Sequence, residues 1–218
     1  MGSNFRYPVF LDLTGKKCVV IGAGPEIFSK IQALVDSSAS VLYVNPQAEP
    51  AINVLAAAGL IVWEAREFKA LDLDGSFLAI TALEDNSKIF RAAEERHVLC
   101  NAVDDPEHCR FSFGSVHRSG DLTIAISTNG AAPALAVRLR ERFAREIGPE
   151  YGKLVDLLKK ARPEILSRVP EFSARRELWY RIVDSGVLAE LREGRQEAAS
   201  QRIRDMIEEA ARAGGGQT

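Results

Sequence analysis

The stretch KKCVVIGAGPEIFSK, residues 16–30, decides the fold, because an apolar run enters a glycine turn and leaves it as a helix. In a dinucleotide-binding βαβ unit, the first glycine makes the tight turn and the second lets the backbone approach the pyrophosphate. Gly22 and Gly24 occupy these two positions. The spacing therefore predicts a Rossmann-like turn at the start of the chain.

Three residues after the second glycine depart from that pattern. Pro25 has no N–H to donate, and Glu26 brings a negative charge to the place where a pyrophosphate would lie. Ile27 stands where a third small residue usually lets the helix pack on the strand. Taken alone, the turn fits a nucleotide site and a plain strand-to-helix connection equally well.

The first half of the chain alternates short apolar runs with segments of helical periodicity. The predicted strands are KCVVIG, SVLYVN, LIVWEA, SFLAITA, VLCNAV and LTIAIS, and the predicted helices are IFSKIQALVDSS, QAEPAINVLAAAG and NSKIFRAAEERH. We expect Asn86 to cap the N-terminus of the last of these helices. Strands that alternate with helices indicate βαβ units, hence a parallel sheet covered on both faces.

The second half, from Ala131 onward, has the periodicity of helices and no convincing strand. Four helices are predicted, in PALAVRLRERFAREIG, PEYGKLVDLLKKARPEIL, EFSARRELWYRIVDSG and RQEAASQRIRDMIEEAARAG. The predicted fold class is thus α/β, a Rossmann-like parallel sheet followed by an all-helical part.

Composition narrows the class of protein. The formal net charge of -2 gives no general attraction to nucleic acid or to an anionic membrane surface. No apolar run reaches the roughly 20 residues that span a bilayer. The 3 cysteines are widely spaced, without the spacing of a zinc site, so no metal ligands are assigned and a cytoplasmic protein is expected.

Two downstream stretches indicate a protein family, which periodicity alone does not. These are NAVDDPEHCRF at residues 101–111 and GDLTIAISTNGAAPALAVRLRERF at residues 120–143. Together with YPVFLDLTGKKCVVIGAG near the start, they resemble the precorrin-2 dehydrogenase family, which comprises the dehydrogenase/ferrochelatase module of siroheme synthases and its relatives. The resemblance implies an NAD-binding domain at 1–113, a central dimerisation segment at 114–149, a helical C-terminal domain at 150–218, and a homodimer.

The resemblance also implies a reaction. It is the NAD-dependent oxidation of precorrin-2 to sirohydrochlorin, and some members of the family also insert ferrous iron to give siroheme. The aspartate that the family uses for both activities falls on Asp104, directly after a predicted strand. A carboxylate at that end of the sheet can take the proton that accompanies hydride removal. The alternative is that DDPE is only a turn, which Asp105 is expected to cap.

Further site residues follow from the same comparison with the family. The residues expected at the cofactor are Gly22, Ala23, Gly24, Pro25 and Glu26 in the glycine turn, Asn45, Pro46 and Gln47 after the second strand, and Thr81 and Ala82 at the end of the fourth. NAD is the cofactor that the resemblance implies. No carboxylate follows the second strand to bind the ribose hydroxyls, so this part of the sequence does not distinguish NAD from NADP.

The tetrapyrrole substrate carries many carboxylates, so cations and N–H groups are expected around it. The candidates are Asn101, Arg118, Arg138 and the turn of Ser127, Thr128, Asn129 and Gly130. The alternative for the arginines of RLRER is a solvated helix face. Thr128 stands where some members of the family carry a phosphorylatable serine.

Three departures from the family pattern touch the expected crevice. They are the turn GAGPEIFSK, Leu83 in TALEDN, and FSFGS at residues 111–115. Two hypotheses follow. The protein is either an NAD-dependent precorrin-2 dehydrogenase, with or without chelatase activity, or a divergent relative that binds a tetrapyrrole without redox turnover. Binding of NAD discriminates between them.

Overall fold

The first unit of the chain is built on a five-stranded parallel sheet in the order β3-β2-β1-β4-β5. The computed structural model describes residues 6–214, in two units, Met1–Phe113 and Gly114–Thr218. The strands are β1 Lys17–Gly22, β2 Ser40–Val44, β3 Ile61–Glu64, β4 Leu78–Ala82 and β5 Leu99–Ala102. The predicted Rossmann-like parallel sheet is confirmed.

Three helices connect these strands, α1 Ile27–Asp36, α2 Pro50–Ala57 and α3 Ser87–Glu95. Two short 3-10 helices, Ala70–Leu73 and Pro106–His108, lie in the connections before β4 and after β5. The strands carry apolar residues on both faces of the sheet, because helices cover both faces. Cys18 and Val20 pack with α1 and α2 on one face, whereas Val19 and Ile21 pack with α3 on the other.

The strand order places the candidate site. β1 lies between β2 and β4, so the connection after β1 runs to one side of the sheet and the connection after β4 to the other. Ligands of open α/β sheets bind in the crevice at such a reversal, outside the carboxyl ends of the strands. The ends of β1, β4 and β5 are therefore where functional side chains are expected.

The second unit begins with a hairpin rather than with a further parallel strand. The segment LTIAIS was expected to complete the parallel sheet, but β7 Leu122–Ile126 pairs antiparallel with β6 Ser115–Ser119, a strand that the sequence did not predict. A connection of only Gly120 and Asp121 joins them, and parallel strands need a crossover of a dozen or more residues. Gly120 has a φ of 56°, which suits the tight turn.

The rest of the second unit is helical, as predicted. The helices are α4 Pro133–Glu146, α5 Pro149–Arg168, α6 Phe172–Val183, α7 Val187–Arg192 and α8 Gln196–Gly214. Six-residue α7 was not predicted, because its length is too short to show a helical period. Its Val187 and Leu191 are buried in one core with residues of α5, α6 and α8. No helix within residues 6–214 is long and apolar enough to cross a bilayer.

Candidate active site

The glycine turn after β1 has one glycine that is needed for packing and one that leaves open space. Gly22 has a φ of 94°, and a Cβ at this position would lie 2.3 Å from the carbonyl oxygen of Ala82 in β4. Gly24 has a φ of 138°, and a Cβ there would meet nothing within 4 Å. The first glycine therefore fixes the approach of β1 to β4, and the second leaves the turn open to a ligand.

The turn offers donors on its open side. Within residues 6–214, no oxygen accepts a hydrogen bond from the backbone N–H of Ala23 or Gly24. The negative charge of Glu26 is paired with Lys30, whose Nζ lies 3.2 Å from Oε2 of Glu26. Ile27 is 1% exposed and belongs to the core beneath α1, so its bulk does not enter the crevice. These features fit a phosphate group, although Pro25 contributes no N–H.

The loop after β2 is tied to this turn. The buried hydroxyl of Tyr43 donates a hydrogen bond to the carbonyl oxygen of Gly22, over 3.0 Å. Burial raises the pKa of Tyr43, so the hydroxyl stays protonated and able to donate. The amide Nδ2 of Asn45 donates to the carbonyl oxygen of Gln47 at 2.5 Å, whereas Pro46 and Gln47 are exposed. The predicted contacts of Asn45, Pro46 and Gln47 with the cofactor stay predictions. The amide nitrogen of Asn45 already donates a hydrogen bond within its own loop.

The loop after β4 is organised by Asn86, and not in the way predicted. Asn86 lies at the N-cap position of α3, but its side chain does not cap the helix. Its Oδ1 accepts from the hydroxyl of Thr81 at 2.9 Å and from the backbone N–H of Leu83 at 3.1 Å. Asp85 caps instead, accepting from the N–H of Ser87. Asn86 is only 3% exposed, and its hydrogen bonds support this loop from the inside.

Two predicted cofactor residues lie at this end of β4. Thr81 is fully buried and its hydroxyl points to Asn86, so it serves the loop, whereas Ala82 is half-buried beside Gly22.

Asp104 lies two residues beyond β5, exposed and in a conformation that few residues adopt. Its φ is 57°, in the left-handed region that aspartate and asparagine tolerate better than most other residues. Within residues 6–214, no side-chain or backbone donor bonds to its carboxylate. The backbone around it is held, since the N–H of Val103 donates to Thr81 O at 2.8 Å and that of Asp105 donates to Ala102 O. The loop therefore presents a free carboxylate on a fixed backbone.

Asn101, in β5, supports the loop that carries Asp104. It is 6% exposed, and its Nδ2 donates to the carbonyl oxygen of Phe111 at 2.8 Å. The thiol of Cys109 donates to the carbonyl oxygen of Ala102 at 3.1 Å. Asn101 thus holds both ends of the loop together, and its predicted contact with the substrate stays a prediction.

Asp105 forms a pair that sequence reasoning missed. It was expected to cap the turn, but its side chain makes no cap hydrogen bond. Its Oδ2 lies 2.7 Å from Nδ1 of His108 and accepts from Nδ2 of Asn86 at 3.2 Å. The hydrogen bond from His108 is the main reason that the pKa of Asp105 is lowered. The i,i+3 spacing of Asp and His was the available signal, but only the folded loop turns the two side chains toward each other.

The predicted substrate residues of the second unit lie on three elements. The turn 127–130 is held by its own side chains, since Thr128 Oγ1 accepts from the N–H of Ala132 at 3.3 Å and Ser127 Oγ accepts from that of Asn129. Asn129 and Gly130 both have positive φ. Arg138 on α4 is exposed and pairs with Glu141 at 3.0 Å, so its charge is partly offset.

Arg118 on β6 is also exposed. It lines a cavity of about 500 Å³ together with Lys153 and Asp156 of α5, so the cavity holds two cations and one carboxylate. The predicted contact of Arg118 with the substrate stays a prediction.

Family models cover most of the chain in three consecutive matches. Residues 9–115 match a family described as "Putative NAD(P)-binding". Residues 119–146 match "Sirohaem biosynthesis protein central", and residues 150–207 match "Sirohaem synthase dimerisation region". The last match lies beyond residues 114–149, where the dimerisation segment was expected.

Curated relatives are similar over nearly the whole chain. A siroheme synthase of Thioalkalivibrio sulfidiphilus is 32% identical over 205 residues, which are 93% of this chain and 42% of that protein. A siroheme synthase of Methylococcus capsulatus is 34% identical over 209 residues, which are 94% of this chain and 44% of that protein. The chain spans less than half the length of these relatives.

A solved structure shows the same fold. It is named "SirC, precorrin-2 dehydrogenase" and matches with a TM-score of 0.72 at 24% identity, over 92% of this chain and all of that one. The nicotinamide dinucleotide predicted as cofactor agrees with the family model of the first unit. With three consecutive models and relatives above 30% identity along its length, the chain belongs to the siroheme synthase family, in the part that carries the NAD(P)-binding, central and dimerisation regions.

Proposed function

We propose that this protein catalyses the NAD-dependent oxidation of precorrin-2 to sirohydrochlorin. The observation that carries the proposal is the free carboxylate of Asp104, exposed two residues beyond β5 on a backbone fixed by hydrogen bonds. The similarity to siroheme synthases supports the substrate class.

The glycine turn would hold the pyrophosphate of NAD. Ala23 and Gly24 provide unpaired N–H groups on the side that Gly24 leaves open. Lys30 offsets the charge of Glu26, which would otherwise oppose a phosphate. When bound, the nicotinamide supplies the hydride acceptor that the oxidation needs.

Asp104 would take the proton that leaves the macrocycle. A carboxylate that makes no other hydrogen bond is free to accept it. The backbone hydrogen bonds of Val103 and Asp105 hold the chain on either side of Asp104, and a held backbone preserves the geometry on which proton transfer depends.

Further partners follow from the same proposal. Arg118, Arg138 and the turn 127–130 would meet the substrate's carboxylates. Ferrous iron would be a second substrate if the protein also acts as a chelatase. The match of residues 150–207 to a dimerisation region supports a homodimer. The domain division at 113 and 149 and a cytoplasmic location remain parts of the proposal.

A second candidate is tetrapyrrole binding without redox turnover, as in a chelatase, carrier or regulatory protein. It is favoured by two features of the cofactor side, the missing N–H of Pro25 and the engagement of the Asn45 amide with Gln47. Both features reduce the number of donors that NAD would find.

The test is an anaerobic assay with enzymatically generated precorrin-2 and NAD, in which sirohydrochlorin is followed by its absorbance. Asp104→Asn is the informative variant, because asparagine also tolerates a positive φ and leaves the loop intact. We expect a loss of about 100-fold or more in turnover, with unchanged NAD affinity by calorimetry. The matched control Asp36→Asn changes an exposed aspartate at the end of α1 and should keep full activity.

Two outcomes would contradict the proposal in different ways. Full turnover in Asp104→Asn would remove Asp104 from the reaction. No turnover in the wild-type protein, with tetrapyrrole bound but NAD not bound, would favour the second candidate.

A further inference from the structure

His108 is a titratable side chain that is held against the loop of Asp104 and has no use in the proposed reaction. Its Nδ1 lies 2.7 Å from the Asp105 carboxylate, and its ring packs edge-on against Phe90, with 5.2 Å between ring centroids. The side chain keeps 28% of its surface exposed. Asp105 and Phe90 therefore fix the orientation of the His108 ring, and the remaining part of the ring is open to solvent.

The pairing fixes which nitrogen of the ring is basic. Asp105 is held ionised by its hydrogen bonds from His108 and Asn86, and an ionised carboxylate can only accept. Nδ1 of His108 must therefore carry the proton, which leaves Nε2 as the acceptor of the neutral ring. A carboxylate that orients an imidazole in this way also stabilises the imidazolium once it forms.

Charged side chains of both signs lie around the pair. The acidic neighbour in contact is Asp105, whose Oδ2 lies 2.7 Å from Nδ1 of His108. The nearby cation, Arg110, lies over the face of Phe90, 4.9 Å from its ring centroid, and is paired with Glu94. A positive charge that forms on His108 when it takes up a proton is thus met by the carboxylate of Asp105.

The pair and Asp104 belong to one loop. Asp104 and Asp105 are consecutive, and His108 N donates to Asp105 O at 3.1 Å in the short 3-10 helix that follows. A macrocycle bound over Asp104 would separate that carboxylate from water. The proton that it collects then needs a route to solvent, and the exposed side of His108 lies on the same loop.

We propose that the Asp105–His108 pair is the proton relay of this site, passing to solvent the proton that Asp104 takes from the substrate. Within residues 6–214 no hydrogen bond joins Asp104 to His108, so a water molecule would bridge them. The O–H bond of the Asp104 carboxyl breaks as its proton passes to that water, the water gives one of its own protons to Nε2 of His108, and the imidazolium then gives its proton to bulk water. The proposal rests on the proposed function.

The test uses the full-length protein in the precorrin-2 and NAD assay, with two variants of His108. His108→Asn keeps a donor where Nδ1 was, so it preserves the bond to Asp105, but it has no basic nitrogen. His108→Ala removes both. We expect kcat to fall about 100-fold in both variants with little change in KM, and added imidazole to restore turnover to His108→Ala. The control His97→Asn changes a histidine outside the pair, where asparagine suits the positive φ of 55°.

A second readout does not depend on turnover. Nitrogen NMR of protein labelled in its histidines should show His108 as the tautomer protonated at Nδ1, with the assignment taken from His108→Asn. The opposite tautomer, or full activity in His108→Asn, would overturn the relay and leave the proposed function intact. Absence of turnover in the wild-type protein would contradict the proposed function itself, and the relay with it.

Discussion

The side-chain amide of Asn86 donates a hydrogen bond to the carboxylate of Asp105 over 3.2 Å, which joins the loop after β4 to the loop after β5. The same side chain binds Thr81 and both backbone groups of Leu83. One buried residue therefore holds together two of the loops that form the crevice.

Asn86→Ala should both destabilise the first unit and impair its site. Truncation leaves the buried hydroxyl of Thr81 and the backbone groups of Leu83 without partners, which we expect to lower the free energy of unfolding by about 2–3 kcal/mol. Urea denaturation measures the change. The control Asn53→Ala, at an exposed position of α2, should stay within about 0.5 kcal/mol of the wild type. An equal effect of the two substitutions would contradict the role of Asn86.

Gly22→Ala should lower the stability of the first unit by more than the positive φ of Gly22 alone explains. The new Cβ would lie 2.3 Å from Ala82 O, so β1 and β4 would have to separate. The control Gly75→Ala also has a positive φ, 69°, but its Cβ would meet nothing within 4 Å.

We expect the free energy of unfolding to fall by about 1 kcal/mol in Gly75→Ala and by at least about 2 kcal/mol in Gly22→Ala. NAD binding should weaken only in Gly22→Ala. Thermal unfolding and calorimetric titration with NAD distinguish the two. Similar losses in both variants would mean that the strands absorb the contact.

Stability in acid should depend on Glu171, the cap of α6. Its carboxylate accepts from the hydroxyl of Ser173 and from the N–H of Ala174, and these hydrogen bonds lower the pKa of Glu171 from 4.5 to about 2. Because the folded-state pKa is the lower one, the stabilisation is complete above pH 4.5 and is lost as the pH falls toward about 2.

The expected result is a flatter acid dependence in Glu171→Gln. Its urea midpoint should lie below that of the wild type at neutral pH and approach it as the pH falls toward about 2. Glu177→Gln, at an exposed position of the same helix, is the control and should follow the wild type. A constant gap between Glu171→Gln and the wild type at every pH would refute the prediction.

The three cysteines should differ sharply in reactivity. Burial raises the pKa of Cys18 to about 11 and that of Cys100 to about 12, so neither forms the nucleophilic thiolate near neutral pH. Cys109 is half-buried. Although burial raises its pKa as well, iodoacetamide should label it first, and the other two only in urea.

Peptide mass spectrometry of the labelled protein checks this order. The control Cys109→Ser should lose the early label and keep the late ones. Early labelling of Cys18 in folded protein would contradict the burial of β1.

Much of the fold was predictable because it depends on local pattern. The apolar runs of β1 to β5 and the periodicity of α1, α4 and α8 identify their own secondary structure, and strands alternating with helices imply a parallel sheet. The motif NAVDD likewise marked Asp104 without any coordinates. These features rest on residues close together in the chain.

What the tertiary structure decided depends on contacts between distant residues. β7 pairs with β6 rather than with the parallel sheet because a two-residue turn allows only an antiparallel neighbour. Ile27 sits in the core rather than in the crevice, since the angle at which α1 leaves the turn is set by packing.

The partners of polar side chains were decided in the same way. Asn86 bonds Thr81 and Asp105 instead of capping α3, and the N–H of Ser87 at the start of that helix bonds Asp85. The sequence alone determined which residues form strands and helices and which carboxylate stands after β5. Only the folding of the loops determined what each buried polar group binds, because a hydrogen bond selects its partner by distance and direction, which periodicity does not contain.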